Sequence, residues 1–179
     1  GAENWMTSHK IEIYNEENSD SAKLENCMEY LSRNGREMPH ALLMMIPEAW
    51  GKEAGLSPEL TSFYEYTSSF MAPWDGPAAL VFTDGDTVGA RLDRNGLRPS
   101  RYSITKDNFI VCSSESGVVD FEPSRVVEKG VLGPGNMMLV DTVNGKILRN
   151  EEVKKHYAAQ FTYEKWLDNN LLHIDDLTE

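Results

Sequence analysis

Residues 89–101 read GARLDRNGLRPSR, and this stretch combines a tight turn with a concentration of charge. Asn95-Gly96 is a strong signal for a hairpin turn between the β-like runs on either side, because both residues tolerate a positive φ. The stretch also holds four arginines and one aspartate, which a tight turn does not need. Planar guanidinium groups bind carboxylates and backbone carbonyls in a fixed geometry. The arginines are therefore candidate structural anchors, with a plain basic loop as the alternative.

The turn lies within a run of predicted strands in the second half of the chain. Residues 79–83 with 87–92, 101–105 with 109–113, and 137–141 with 146–149 form three predicted hairpins, each around a short polar turn.

The first half of the chain predicts helices. Ser19 or Asp20 caps a helix that closes at Asn34-Gly35, and a short apolar helix covers residues 41–46. Ser57 before Pro58 begins another helix, which reaches about Met71. We expect that helix to bury Leu60, Phe63, Tyr64 and Phe70.

A further helical region covers residues 150–172. Helices followed by antiparallel hairpins indicate an α+β fold, and the length suits a single domain over residues 1–179.

The composition excludes several classes of partner. The 179 residues carry a formal net charge of −12, which argues against nucleic acid and against an anionic membrane surface. No apolar run approaches the roughly 20 residues that span a bilayer, and no segment reads as a signal peptide. Cys27 and Cys112 have no metal-ligand spacing, and their apolar neighbours predict buried, inert thiols.

Several segments, in the same order along the chain, resemble the glutamine amidotransferase region of the glutamate synthases. They are residues 4–6 (NWM), 19–21 (SDS), 46–50 (IPEAW), 63–66 (FYEY), 73–79 (PWDGPAA), 93–99 (DRNGLRP) with 101–102 (RY), 113–118 (SSESGV) and 133–135 (GPG). The resemblance covers most of the chain and corresponds to the C-terminal part of that region.

The resemblance implies a fold and an activity. The fold is the four-layer αββα sandwich of N-terminal-nucleophile hydrolases, with antiparallel hairpins and flanking helices. The activity is glutamine hydrolysis that supplies ammonia to a second site, where glutamate is made from 2-oxoglutarate. FMN and an iron–sulfur cluster are expected in other domains of the parent enzyme, and no cofactor is expected in this chain. Location in the cytoplasm or in an organelle such as the plastid is also expected.

The same resemblance implies a cysteine nucleophile at the mature N-terminus, activated by its own α-amine. This sequence begins with Gly1, and neither of its cysteines is terminal. The family's Asn-Gly oxyanion hole would precede residue 1. We therefore expect the nucleophile and the oxyanion donors to be absent from this chain, and the chain to be inactive alone.

One family contact to the substrate falls within the sequence. The resemblance assigns Asp20, in the SDS segment, to the α-ammonium group of glutamine. A carboxylate suits this role because charge-assisted hydrogen bonds to an ammonium are short and directional. A plain N-cap aspartate is the alternative, and the two roles are compatible.

Four further residues are expected to have structural roles. Asn4 is expected to support the oxyanion turn, with a surface position as the alternative. Arg94 and Arg98 are expected to bind acidic side chains or carbonyls, and Glu115 is a candidate partner for one of them.

Two other functions remain open. A scaffold or binding module could keep the fold without catalysis, and a complementing N-terminal segment would then restore activity. Another amidotransferase, such as a purine-pathway enzyme, fits the segments IPEAW and PWDGP less well. If strands are missing, exposed sheet edges predict self-association.

Overall fold

The structure is a computed structural model, and it describes residues 17–51 and 53–172 of the chain. These residues divide into two units, with the boundary between Leu42 and Leu43. The single domain expected for residues 1–179 stays a prediction, and each unit is described by itself below.

The first unit contains helix α1, Asp20–Arg33, and most of helix α2, Met38–Met45. Ser19 is the N-cap of α1, since its Oγ accepts a hydrogen bond from the backbone N of Ala22 at 3.3 Å. The predicted closure of α1 is confirmed, because its C-cap is Asn34 and Gly35 has a φ of +84°. Helix α2 begins three residues before the predicted start, at Met38.

The second unit contains three helices, α3 (Pro58–Ser68), α4 (Asn150–Ala158) and α5 (Tyr163–Asn170). Ser57 caps α3 as predicted, with its Oγ accepting from the backbone N of Leu60. Helix α3 packs against both α4 and α5. Its contact with α5 is aromatic: Phe63 and Tyr66 each have a ring centroid 5.3 Å from that of Tyr163.

The prediction that Phe70 is buried is wrong. Helix α3 ends at Ser68, so Phe70 lies beyond the helical face that carries Phe63 and Tyr64, and it is 56% exposed.

Seven strands form two antiparallel sheets in the second unit. The strands are β1 (Ala79–Thr83), β2 (Thr87–Leu92), β3 (Arg101–Thr105), β4 (Ile110–Ser113), β5 (Val126–Val131), β6 (Met137–Asp141) and β7 (Lys146–Leu148). The four-stranded sheet has the order β1-β2-β6-β7, and the three-stranded sheet has the order β4-β3-β5. All three predicted hairpins are confirmed, with ends that differ by no more than one residue.

The connection between β2 and β3 differs from the prediction. Residues Asn95-Gly96 do not form a hairpin, since β2 and β3 lie in different sheets. The turn instead carries the chain from the four-stranded sheet to the three-stranded one. Strand β5 was also absent from the prediction, and it pairs with β3 across a long connection.

The two sheets pack face to face around an apolar core. Ala90 and Leu92 of β2, Met138 of β6 and Leu132 are buried there, with Tyr102, Ile110, Cys112 and Ile147 packed against them. Alternate residues of a strand point to opposite faces. Arg91 accordingly points to the other face of the sheet, where α3 and α4 lie. Helices, four-stranded sheet and three-stranded sheet thus form successive layers, which confirms the α+β class.

We predict that Gly89→Ala destabilises the second unit. A Cβ at this position in β2 would lie 2.2 Å from a ring carbon of Phe82 and 2.7 Å from Leu139. Overpacking of this kind costs about 1–3 kcal/mol. Urea unfolding measures the loss, and Phe82→Leu in the same chain should recover part of it by opening space. Equal stability of Gly89→Ala and wild type would contradict this packing.

Candidate functional site

The turn within residues 93–99 is organised by the buried carboxylate of Asp93. Its Oδ1 accepts a hydrogen bond from the backbone N of Ala78 at 3.0 Å, and its Oδ2 accepts from the backbone N of Asn95 at 2.9 Å. The backbone N of Asp93 also donates to the carbonyl of Ala78. A carboxylate that accepts from two backbone groups fixes both ends of the turn.

The same turn packs against residues 133–135. The carbonyl of Asp93 accepts from the backbone N of Gly96 at 3.1 Å and of Gly135 at 2.8 Å. A Cβ on Gly96 would lie 2.8 Å from Pro134, and one on Gly135 would lie 2.7 Å from the Cβ of Glu48. Three segments that are distant in sequence therefore meet at contacts too close for larger residues: the turn after β2, the turn before β6, and the IPEAW segment.

Glu48, whose side chain is 16% exposed, contacts or lies near three buried polar side chains. We call this group the Glu48 cluster: Glu48, Tyr64, Arg91 and Lys154. The Oε1 of Glu48 accepts a hydrogen bond from the Tyr64 hydroxyl at 3.1 Å. Its Oε2 pairs with the Nζ of Lys154 at 2.7 Å, and the Lys154 side chain is only 4% exposed. The carboxylate thereby connects α3, which carries Tyr64, to α4, which carries Lys154.

Arg91 adds a second buried cation to the cluster. It is 1% exposed, and its Nε and Nη2 donate to the carbonyl of Ile46. Its Nη1 has no hydrogen-bond partner among the residues that the structure describes. The guanidinium therefore holds the segment before Glu48 against strand β2.

Burial changes the proton affinity of three groups in the cluster. Removal from water raises the pKa of the Tyr64 hydroxyl well above its usual value of 10.0. It lowers the pKa of Arg91, and also that of the Lys154 amine, against the opposing effect of the Glu48 carboxylate. Burial is the largest cause of the shift in all three groups.

Asp20, the predicted substrate contact, lies in the first turn of α1 and is exposed. The alternative that it is the N-cap is wrong, since Ser19 has that role. Among residues 17–51 and 53–172, no hydrogen bond or ion pair to the Asp20 carboxylate is found.

The expected structural residues have separate positions. Arg94 donates to the carboxylate of Asp75 at 3.0 Å, in an exposed pair. Arg98 and Glu115 are exposed, and within the described part of the chain no ion pair joins Glu115 to Arg94 or Arg98. The carbonyl of Glu115 instead accepts from the Ser113 hydroxyl. Asn4 lies outside the described residues.

The sequence reasoning missed the roles of Glu48, Arg91 and Lys154. A signal was present for Arg91, because it alternates with the apolar Ala90 and Leu92 in a predicted strand. The sequence also carried a signal for Lys154. This residue shares a helix face with the apolar Tyr157 and Ala158, at i+3 and i+4, and that face is buried.

The described residues contain no helix that is long and apolar enough to cross a membrane. No group of three or more His, Cys, Asp or Glu side chains among them could hold a metal ion.

Comparison with known families identifies the class of protein. The family model for class-II glutamine amidotransferases matches residues 3–166. Because this match covers most of the sequence, the chain belongs to the class-II glutamine amidotransferases.

Individual relatives specify the branch of that class. The chain is 47% identical over 165 residues to a glutamate synthase [NADPH] large chain of Bacillus subtilis, a match that covers 92% of this chain and 11% of that protein. It is 48% identical over 174 residues to a ferredoxin-dependent glutamate synthase of Antithamnion sp., covering 93% of this chain and 11% of that protein. It is 43% identical over 189 residues to the chloroplastic ferredoxin-dependent glutamate synthase 2 of Arabidopsis thaliana. This match covers 96% of this chain and 12% of that protein.

The chain thus corresponds to the glutamine amidotransferase domain of the glutamate synthases, and it spans about a tenth of the length of the curated relatives it matches.

We predict that Glu48→Gln costs about 3–5 kcal/mol of unfolding free energy, because it leaves the buried Lys154 amine without its carboxylate. In a double-mutant cycle with Lys154→Met, urea unfolding should give a coupling of about 1–3 kcal/mol. Glu29→Gln is the control: its pair with Arg33 is exposed, so the change should stay within about 0.5 kcal/mol. If Glu48→Gln also lost no more than about 0.5 kcal/mol of unfolding free energy, a stabilising role for the Glu48 cluster would be contradicted.

A second prediction concerns pH. The pKa of Lys154 is lowered in the folded chain from its ordinary 10.5, so the unfolded chain binds more protons in the range just below that value. The unfolding free energy that this residue contributes therefore rises with pH there. As the pH rises towards 10.5, wild type should gain stability relative to Lys154→Met. Parallel pH curves for the two proteins would contradict the lowered pKa.

Proposed function

We propose that this chain forms part of the glutaminase, or ammonia-generating, domain of a glutamate synthase. The family match over residues 3–166 carries the proposal, supported by 43–48% identity to three glutamate synthases. In that role the substrate is glutamine, and the ammonia released from its side-chain amide is used with 2-oxoglutarate to make glutamate. The domains that perform the second step are the partners of this chain.

Asp20 is the proposed contact to the substrate. Its carboxylate is exposed and available, because Ser19 caps α1 and no described side chain binds the aspartate. A carboxylate that no described side chain binds suits the α-ammonium group of an amino acid, because charge-assisted hydrogen bonds to an ammonium are short and directional.

The nucleophile is proposed to be a cysteine outside residues 1–179, together with the oxyanion donors. Neither internal cysteine suits this role. Cys27 lies within α1, and burial raises the pKa of its thiol, which lowers the fraction of reactive thiolate. Cys112 lies between the sheets, where its Sγ is 3.1 Å from the Ser100 hydroxyl. On this proposal the 179-residue chain does not hydrolyse glutamine by itself.

Further features of the parent enzyme are proposed from the relatives. FMN and an iron–sulfur cluster would be bound by other domains. The location would be the cytoplasm or an organelle such as the plastid, in keeping with the chloroplastic relative of Arabidopsis thaliana.

The test uses a glutamate synthase polypeptide that includes these residues. We predict that Asp20→Asn raises KM for glutamine at least about tenfold, the size of one lost charge-assisted hydrogen bond. Glutamate synthesis from added ammonia should be unchanged, because ammonia bypasses glutamine hydrolysis. The matched control is Glu25→Gln, which removes an exposed carboxylate from the same helix.

The outcomes separate the proposed roles. An unchanged KM in Asp20→Asn would remove this residue from the substrate site and leave the domain assignment intact. A wild-type polypeptide that makes glutamate from ammonia but not from glutamine would favour a non-catalytic scaffold of the same fold.

A further inference from the structure

The chain contains three Asn-Gly pairs, at residues 34–35, 95–96 and 144–145. In such a pair, the backbone nitrogen of the glycine can attack the side-chain carbonyl carbon (Cγ) of the asparagine. Glycine favours this reaction, because it has no side chain to hinder the attack and its backbone rotates freely. How firmly the fold holds each glycine therefore decides where the reaction occurs.

The pair Asn95-Gly96 is held by hydrogen bonds and by packing. The backbone N of Gly96 donates to the carbonyl of Asp93 at 3.1 Å, and the backbone N of Asn95 donates to the Asp93 carboxylate at 2.9 Å. A Cβ on Gly96 would lie 2.8 Å from Pro134, so there is little space around this glycine. Rotation of the backbone towards attack would break the bond to Asp93 and press the turn against Pro134. The fold therefore protects Asn95.

The pair Asn34-Gly35 is held by the C-terminal end of α1. The backbone N of Gly35 donates to the carbonyl of Ser32 at 3.0 Å. The side-chain Nδ2 of Asn34 donates to the carbonyl of Tyr30 at 2.7 Å. Hydrogen bonds of this kind fix the backbone at a helix terminus. Both the attacking nitrogen and the amide that it would attack are therefore bound to the helix.

The pair Asn144-Gly145, in the turn between β6 and β7, differs from the other two pairs. Within the described part of the chain, the backbone N of Gly145 donates no hydrogen bond, and a Cβ on this glycine would meet no atom within 4 Å. Residues 142–146 are exposed to solvent. The Asp141 carboxylate accepts from the backbone N of Asn144 at 2.9 Å and from its Nδ2 at 2.7 Å. The asparagine is thus held in place, while the glycine beside it is free to rotate.

We propose that Asn144 is the site of spontaneous deamidation in the folded 179-residue chain. The backbone N of Gly145 forms a bond to the Cγ of Asn144, and the bond from Cγ to Nδ2 breaks. The proton released by the attacking nitrogen leaves with Nδ2 as ammonia, and a succinimide ring remains. Water then adds to either ring carbonyl and opens the ring, which gives aspartate or isoaspartate. Water is the only co-reactant, and no electrons are transferred.

The reaction changes the charge of the turn. It removes the Nδ2 donor that binds the Asp141 carboxylate and leaves a second carboxylate close to it. Two neighbouring carboxylates repel each other when both are ionised. Deamidation therefore loosens the turn that joins β6 to β7. The inference does not depend on the proposed function, since it uses only the contacts of the three Asn-Gly pairs.

The test is incubation of the folded chain at mildly alkaline pH, with the deamidated fraction at each asparagine measured by mass spectrometry of its peptides. We predict that Asn144 deamidates at least about tenfold faster than Asn34 and Asn95, because attack at those two sites must first break a hydrogen bond of the glycine. Circular dichroism before and after incubation establishes that the chain is folded.

Two controls separate the fold from the local sequence. In urea the three glycines are equally free, so the three asparagines should deamidate at similar rates. Gly145→Ala hinders the attacking nitrogen and should slow the reaction at Asn144 in the folded chain. The matched variant is Gly117→Ala, since Gly117 also has a positive φ and no atom within 4 Å of its Cβ position. This variant should leave the rate at Asn144 unchanged.

Two results would overturn the inference. One is a folded chain in which Asn144 deamidates no faster than Asn95. The other is an unfolded chain in which Asn144 is already ahead of Asn34 and Asn95 by the same factor as in the folded chain. The difference would then come from the neighbouring residues and not from the fold.

Discussion

The carboxylate of Glu48 is the interaction on which the second unit depends. It binds Tyr64 of α3 and Lys154 of α4 at the same time, and its Cβ lies where only a glycine at position 135 fits. Removal of this carboxylate costs more than the contacts that it makes, because the Lys154 amine, whose side chain is 4% exposed, would lose its counter-charge. One side chain therefore joins two helices by a hydrogen bond and an ion pair, and it packs closely against the turn before β6.

Sequence reasoning succeeded where structure is local. The turns Asp84-Gly85 and Asn144-Gly145 each join strands that pair across a few residues, and both hairpins are confirmed. It failed where pairing is distant. Strand β5 meets β3 only after a long connection, and its own sequence, VVEKGV, carries two charges and a glycine. The same limit applies to Asn95-Gly96, because local turn chemistry does not reveal which sheet the next strand joins.

Prediction of the candidate site from the sequence was limited in a different way. The role of Asp20 was inferred from the SDS segment of a resembling family, and the structure adds that Ser19 leaves its carboxylate available. The Glu48 cluster was missed, since ion pairs between residues as distant as Glu48 and Lys154 are set by tertiary packing. The charged stretch around the DRNG turn led to structural roles being expected for Arg94 and Arg98, which are exposed, whereas its buried arginine is Arg91.

A group of three side chains joins the two sheets at one side of the sandwich. Glu128 of β5 accepts a hydrogen bond from the Tyr102 hydroxyl and pairs with Arg149, which follows β7, and the Arg149 guanidinium lies 5.3 Å from the centre of the Tyr102 ring. Local openings expose backbone amides to exchange with solvent long before the whole unit unfolds. We therefore expect the amides of β1 and β4 to exchange hydrogen faster than those of β5 and β7, although all four are edge strands.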